Sequence, residues 1–334
     1  MAYLSAKITP MLAIDQYQQH FTAYLSEQKI STEPQNLYAP ISYILSLGGK
    51  RMRPVLTLMA AEVFNCSFQK ALPAAMAVEM FHNFSLVHDD IMDDAPLRRG
   101  RETVHEKWDV NTGILSGDAM LILAYRYFEQ YEPAVFRDLA KLFSKTALEV
   151  CEGQQWDVDF ETRDNVTLDQ YLKMIEYKTA VLVGAAMQMG AIIAGTSRQN
   201  AQLIYDFGRY LGIAFQLQDD YLDVYGDPET FGKQIGGDII ENKKTYLYLK
   251  AMSFSDVTQT EQLRHLYSIQ PADNNDKIAS VSAIFTQTGA ASATQEAIRD
   301  YTLRAFDTLA RLDVSNDKKN ALRLFGQNLM ERKV

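Results

Sequence analysis

Along most of the chain apolar positions recur at three- and four-residue intervals, the spacing that lines one face of an α-helix. This period predicts helices over residues 54–64, 71–94, 117–130, 139–156, 168–195 and 200–225. Pro54 suits a first helical position. Pro96 lies just beyond the second segment and favours a stop before it. Convincing strand alternation is absent. Loop signals gather in 226–242, with Gly226-Asp227-Pro228 and Gly236-Gly237, and in 253–275. No repeat, low-complexity tract or Gly/Ser/Pro-rich linker interrupts the pattern. The expectation is an all-α fold with one domain over residues 1–334.

Composition narrows the function. Hydrophobic residues make up 47% of the chain, enough for a sizeable core, and 9 prolines and 17 glycines leave few breaks. Acidic residues outnumber basic ones, 42 to 33, for a net charge of -9. That balance argues against nucleic acid as a partner, because phosphate backbones bind basic surfaces. A polyanion can still bind through recruited metal ions. Cys66 and Cys151 are the only cysteines, which suits a reducing compartment and excludes a disulfide scaffold or a cysteine zinc cluster. The start, MAYLSAKITPMLAIDQYQQH, has no signal-peptide pattern, and no apolar run approaches the roughly 18 residues of a membrane span. A cytoplasmic protein without stable membrane insertion is expected.

Two acidic clusters break the rules of helix design. SLVHDDIMDDAPLRRG (85–100) places Asp89, Asp90, Asp93 and Asp94 at the end of an apolar helix. Asp89 and Asp93 share a face one turn apart, as do Asp90 and Asp94, and like charges so spaced cost about 0.2–0.5 kcal/mol per pair. They also lie at the negative end of the helix dipole. The pattern returns in FQLQDDYLDVYGDP (215–228), with Asp219, Asp220 and Asp223 before a turn. One such motif is more often a solvated helix end. Two copies among apolar neighbours such as Leu86, Val87, Ile91, Leu217 and Leu222 favour a site. Magnesium is the natural remedy, being a hard cation usually held by one or two carboxylates plus substrate phosphates. Neither cluster has the loop spacing or central glycine of an EF-hand.

Basic residues complete the set. Arg98 and Arg99 follow the first cluster, and guanidinium forks match diphosphate oxygens. Upstream, Gly48-Gly49-Lys50-Arg51-Met52-Arg53-Pro54 joins a turn, three cations and a helix start, a segment suited to a second diphosphate without metal. Lys178-Thr179, Lys233 and Lys243 gain weight only as members of this set.

Taken in order, GGKRMRP, VEMFHNFSLVHDDIMDDAPLRRG, GDAML, EGQQWD, KTA, FQLQDDYLDVYGDP and GGDIIENKKT resemble the trans-isoprenyl diphosphate synthases, the farnesyl and geranylgeranyl diphosphate synthase family. The resemblance covers most of residues 43–250. It implies a helical bundle around a deep central cavity, a homodimer, and condensation of isopentenyl diphosphate with allylic diphosphates. By the same resemblance Asp89, Asp93 and Asp219 are the principal Mg2+ ligands, and Asp90, Asp220 and Asp223 complete the acidic walls. Arg98, Lys178 and Lys233 would hold the allylic diphosphate, with Lys243 nearby. Gly49, Lys50, Arg53, His82 and Arg99 would bind isopentenyl diphosphate, His82 standing where some members have glutamine. Thr179, Gln216 and Asp157 correspond to polar groups around the reacting carbons.

Chain length is read from the helix before Asp89, which advances about 5.4 Å per turn, roughly one isoprene unit. Ser85 lies four residues before Asp89, Phe84 five and Phe81 eight. A small residue at the fourth position with Phe at the fifth resembles twenty-carbon synthases, with Phe81 as floor; a fifteen-carbon product is the alternative. A terpene cyclase would lack the second aspartate run and the Lys50–Arg53 segment. A non-catalytic partner subunit would have lost aspartates or cations, and this chain keeps them all.

Overall fold

A computed structural model describes residues 11–227 and 235–331. It is helical apart from one short hairpin. In order the elements are α1 (Ile14–Glu27), α2 (Gln35–Ser46), α3 (Met52–Val63), α4 (Leu72–Met92), β1 (Leu97–Arg98), β2 (Arg101–Glu102), α5 (Val104–Lys107), α6 (Val110–Phe128), α7 (Pro133–Thr162), α8 (Leu168–Ile175), α9 (Val181–Ile193) and α10 (Arg198–Tyr225). There follow α11 (Gly237–Ile240), α12 (Tyr246–Phe254), α13 (Val257–Leu266), α14 (Asn275–Gln287), α15 (Ala290–Ala310) and α16 (Asn316–Glu331).

The all-α expectation holds, with three local corrections. The helix expected over 168–195 is interrupted by a π-helical turn, Glu176–Ala180, between α8 and α9. The loop expected over 253–275 contains α13, started by Asp256, whose Oδ1 accepts the Gln259 N–H at 2.8 Å. The connection after α4 pairs Leu97 with Glu102 and Arg98 with Arg101 in an antiparallel hairpin.

The described residues divide into two compact units. The first holds the described residues through Ser144, Ala185–Ile204 and Asp313–Lys318. In it α4 packs along α6 and α3, α2 along α6, and α1 along α3. Tyr17, Phe21, Ile44, Leu58, Phe81, Phe128 and Phe143 are fully buried in this unit. Each such side chain contributes about 1.5–3 kcal/mol relative to exposure. From Ala74 through Phe81 every residue of α4 is buried, so this helix is the axis of the unit and its last turn carries the first aspartate cluster. Lys318 is also buried; its Nζ donates to the carbonyls of Glu62 (2.8 Å) and Val63 (3.0 Å) and to Asn65 Oδ1 (2.6 Å), satisfying the end of α3.

The second unit holds Lys145–Gly184, Tyr205–Leu312 and the described residues from Lys319. One apolar cluster gathers Val224, Ile239, Leu247, Val281, Ile284 and Phe285. Another gathers Phe160, Tyr171, Met174, Ile213 and Leu217. They flank the last turns of α10, which carry the second aspartate cluster.

Candidate active site

At the end of α4, Asp93 caps the helix and its N–H returns to the Asp89 carbonyl at 2.8 Å. The cluster divides by environment. Asp90 is fully buried and held by Arg98, whose Nε donates to both carboxylate oxygens at 2.8 and 2.9 Å while Nη2 lies 2.6 Å from Oδ1. Asp89 is half-buried and Asp93 exposed. The tie from Asp90 therefore anchors the hairpin that bears both arginines.

Behind it lies a concentration of cations. Arg51 sits in the left-handed region (φ +49°) and is buried. Its Nη1 pairs with fully buried Glu79 and its Nη2 donates to the Leu45 carbonyl at 2.5 Å. Asn83 Nδ2 braces the same Glu79 carboxylate at 2.9 Å. Of the three cations in the GGKRMRP turn, Arg51 is thus a strut, and Lys50 is the exposed one. Arg53 Nη1 lies 3.3 Å from His82 Nε2. Arg99 Nη1 donates to the Gly48 carbonyl, and its guanidinium lies against Gly49, where an added Cβ would fall 2.8 Å from Cζ. Gly49 also has φ +117°, so two separate reasons require glycine there. Burial first, then Arg53, Arg99, Arg98 and Arg51, push the pKa of His82 well below the usual histidine value. Its imidazole is neutral. With Nε2 accepting from Arg53, the remaining N–H at Nδ1 is a donor.

In the second unit a chain of hydrogen bonds fixes Gln216. Thr179 Oγ1 donates to Gln216 Oε1 at 3.0 Å, and Gln216 Nε2 donates to Asp220 Oδ1 at 3.0 Å. The Tyr171 hydroxyl donates to the other Asp220 oxygen. Burial is the main reason the Asp220 pKa is pushed up to about 7; the bonds from Tyr171 and Gln216 oppose it, and Asp219 and Asp223 add to it. Asp238 is raised well above the carboxylate range, by burial and then by Asp220 and Asp223. Asp223 accepts the Asp238 N–H at 3.0 Å.

Lys178 and Thr179 both stand in the π turn, whose wider winding brings these neighbours into the site. Lys178 Nζ donates to Asp157 Oδ2 at 2.5 Å. A Cβ on Gly153 of α7 would overlap the Lys178 backbone, 2.8 Å from its Cα, so the EGQQWD glycine permits this approach. Lys243 Nζ lies 2.8 Å from Glu241 Oε2. Burial works against its charge, but the bond to Glu241 and the charges of Asp157 and Asp238 win, and its pKa is raised. Lys233 lies outside the described residues.

Of the three chain-length residues, Phe81 is fully buried, Phe84 nearly so and Ser85 half-buried. The Phe81 ring centroid is 5.4 Å from Phe84 and 5.1 Å from Phe143, which is 5.3 Å from Phe128. Ser85 Oγ turns back to the His82 carbonyl at 2.9 Å.

Sequence reasoning missed Glu79, Asn83, Tyr171 and Asp238. Only Glu79, an acid inside an unbroken apolar run, left a visible signal. The two aspartate motifs fit a hard divalent cation: their donors are all oxygen, and at Asp220 burial first, then the charges of Asp219 and Asp223, raise the pKa, a cost that a bound cation would relieve. Among the described residues neither motif alone gathers three carboxylate oxygens around one point, so substrate phosphates and water would complete the shell.

The model of the polyprenyl synthetase family matches residues 34–285. A geranylgeranyl diphosphate synthase of Methanosarcina mazei is 42% identical over 234 residues, 70% of this chain and 72% of that one. A geranylfarnesyl diphosphate synthase of Natronomonas pharaonis is 39% identical over 245 residues, 68% of this chain and 72% of its own. A crystal structure of a geranylgeranyl pyrophosphate synthase, 53% identical, superposes with a TM-score of 0.94 over 97% of this chain and 100% of that one.

Proposed function

The chain belongs to the polyprenyl synthetase family and is a trans-prenyltransferase, and on that premise we propose that it condenses isopentenyl diphosphate with allylic diphosphates to make geranylgeranyl diphosphate. The observation that carries the reading is the arginine cluster around neutral His82, joined through Arg98 to the Asp90 carboxylate near the end of α4. It offers a metal-free diphosphate site beside a metal-dependent one.

In this reading Asp89, Asp93, Asp219 and Asp223 would hold Mg2+, which when bound neutralises charge on the departing diphosphate. Arg98, Lys178 and Lys243 bind the allylic diphosphate and favour ionisation of the C–O bond. Lys50, Arg53, Arg99 and the His82 Nδ1–H hold isopentenyl diphosphate so that its double bond meets the allylic carbocation. Gln216 Oε1 keeps a lone pair beyond its bond from Thr179, a partial negative charge suited to a developing cation. The proton then leaves with the released diphosphate as base.

The twenty-carbon product is supported by small Ser85 and by the Phe81–Phe143 contact one turn deeper. The relatives' products differ, so the measurement is direct. Purified protein with Mg2+ and isopentenyl diphosphate is given dimethylallyl, geranyl or farnesyl diphosphate, and product lengths are determined. A dominant twenty-carbon product is expected. A fifteen-carbon product would move the floor to Phe84, and no product from any starter would leave only a partner-subunit role.

We also read residues 1–334 as one catalytic domain, working in the cytoplasm as a homodimer. Along α6, Val110, Ile114, Leu115 and Ile122 are 48%, 41%, 60% and 61% exposed, an apolar stripe suited to a second copy. No described helix is long and apolar enough to cross a membrane.

A further inference from the structure

Among the described residues one further group, which takes Asp94 from the end of the first acidic cluster, has the chemistry of a ligand set. Asp94, His105 and Glu106 each bring a donor atom within 4.8 Å of the others. Asp94 lies two residues past α4, and the other two are neighbours on α5. The His105 side chain is only 5% exposed, yet neither ring nitrogen has a hydrogen-bond partner. Its Nε2 is 3.7 Å from Glu106 Oε1, too far for a hydrogen bond and close to the separation of two ligands on one tetrahedral ion. Burying an imidazole with both nitrogens unsatisfied is unfavourable unless something outside the protein satisfies one. The two carboxylates are solvent-facing, which gives an ion a route in and leaves a position for water.

We propose that Asp94, His105 and Glu106 form a third metal site, which takes a borderline transition ion such as Zn2+ rather than Mg2+. The mixed nitrogen and oxygen donors select it, since Mg2+ prefers oxygen alone. The site closes the base of the β1–β2 hairpin. Asp94 lies just before the hairpin and His105-Glu106 just after it, so a bound ion ties the two ends of the connection bearing Arg98 and Arg99. The site is independent of the product assignment.

The test is a Zn2+ titration of chelator-stripped protein by calorimetry, with Mg2+ kept in saturating excess to occupy the aspartate motifs. One Zn2+ per chain is expected that Mg2+ does not displace. Cu2+ bound in its place should show nitrogen coupling by electron paramagnetic resonance, lost in His105→Asn. Glu106→Gln and Asp94→Asn, both on exposed side chains, should each weaken Zn2+ binding by about tenfold or more, and they decide the matter should His105→Asn fail to fold. Zn2+ should also slow amide exchange across residues 95–103. Zn2+ that Mg2+ fully displaces, the absence of nitrogen coupling, or unchanged affinity in both carboxylate variants would overturn the proposal.

Discussion

His82 shows how one side chain reports on its surroundings. Its pKa is depressed, so in acid the unfolded chain takes up a proton that the folded one refuses. The corresponding stability is therefore present above pH of about 6.5 and is lost as pH falls below it. His82→Gln removes this dependence and keeps an N–H donor. Denaturant melts at pH 8 and pH 5.5 should show the variant losing less stability on acidification than the parent. His82→Ala removes the donor and should raise KM for isopentenyl diphosphate by about tenfold or more, leaving the allylic KM unchanged. A matching rise in both would argue against the assignment. At the same scale, Phe81→Ala should lengthen the product by at least one isoprene unit, while Phe81→Leu, which leaves a smaller void, should give a mixture, both resolved by chromatography of the dephosphorylated alcohols. The alanine variant should also lose about 3–5 kcal/mol of stability. At this scale the sequence was legible for residue types and opaque for direction. GGKRMRP announces cations, but only the left-handed backbone at Arg51 and the distant Glu79 turn that guanidinium inward.

The π turn at Glu176–Ala180 is the element that most changed the reading. Residues 168–195 carry apolar side chains on nearly every face, so an inserted residue shifts the register without disturbing any visible period. The KTA motif could be found there, but not the wider winding that puts Lys178 against Asp157 and Thr179 against Gln216. Gly153 is the other half of the arrangement. Gly153→Ala should cost about 1–3 kcal/mol by crowding the Lys178 backbone and should lower kcat more than it raises either KM. Thermal melts and steady-state kinetics check both, and a normal kcat at normal stability would remove Gly153 from the argument. Helix α13 escaped notice for a different reason. VTQTEQLRHL is too polar to show a strong period, and its capping box, Asp256 with Gln259, was the signal available.

For the whole molecule, the all-helical fold and both aspartate motifs were plain from the sequence, because long apolar periods and repeated rule-breaking are local. The division into two units was not, since each is assembled from separated stretches of chain. Association is the prediction that belongs here. On the proposed homodimer, Ile122→Glu places a charge at the C-terminal end of the exposed α6 stripe and should leave a monomer in sedimentation equilibrium; a variant that still dimerises would send the interface elsewhere.

Lys318 carries a consequence for how the protein is made. The carbonyls that end α3 belong to residues synthesised early, and the ammonium that satisfies them arrives some 250 residues later. Until residue 318 has left the ribosome, the Glu62 carbonyl keeps its bond from the Asn65 N–H at 3.0 Å, and the Val63 carbonyl turns to water. The end of α3 is therefore fastened only once residue 318 has been made, so a message truncated before codon 318 yields a chain with every residue of the first motif and an α3 end still without that ammonium.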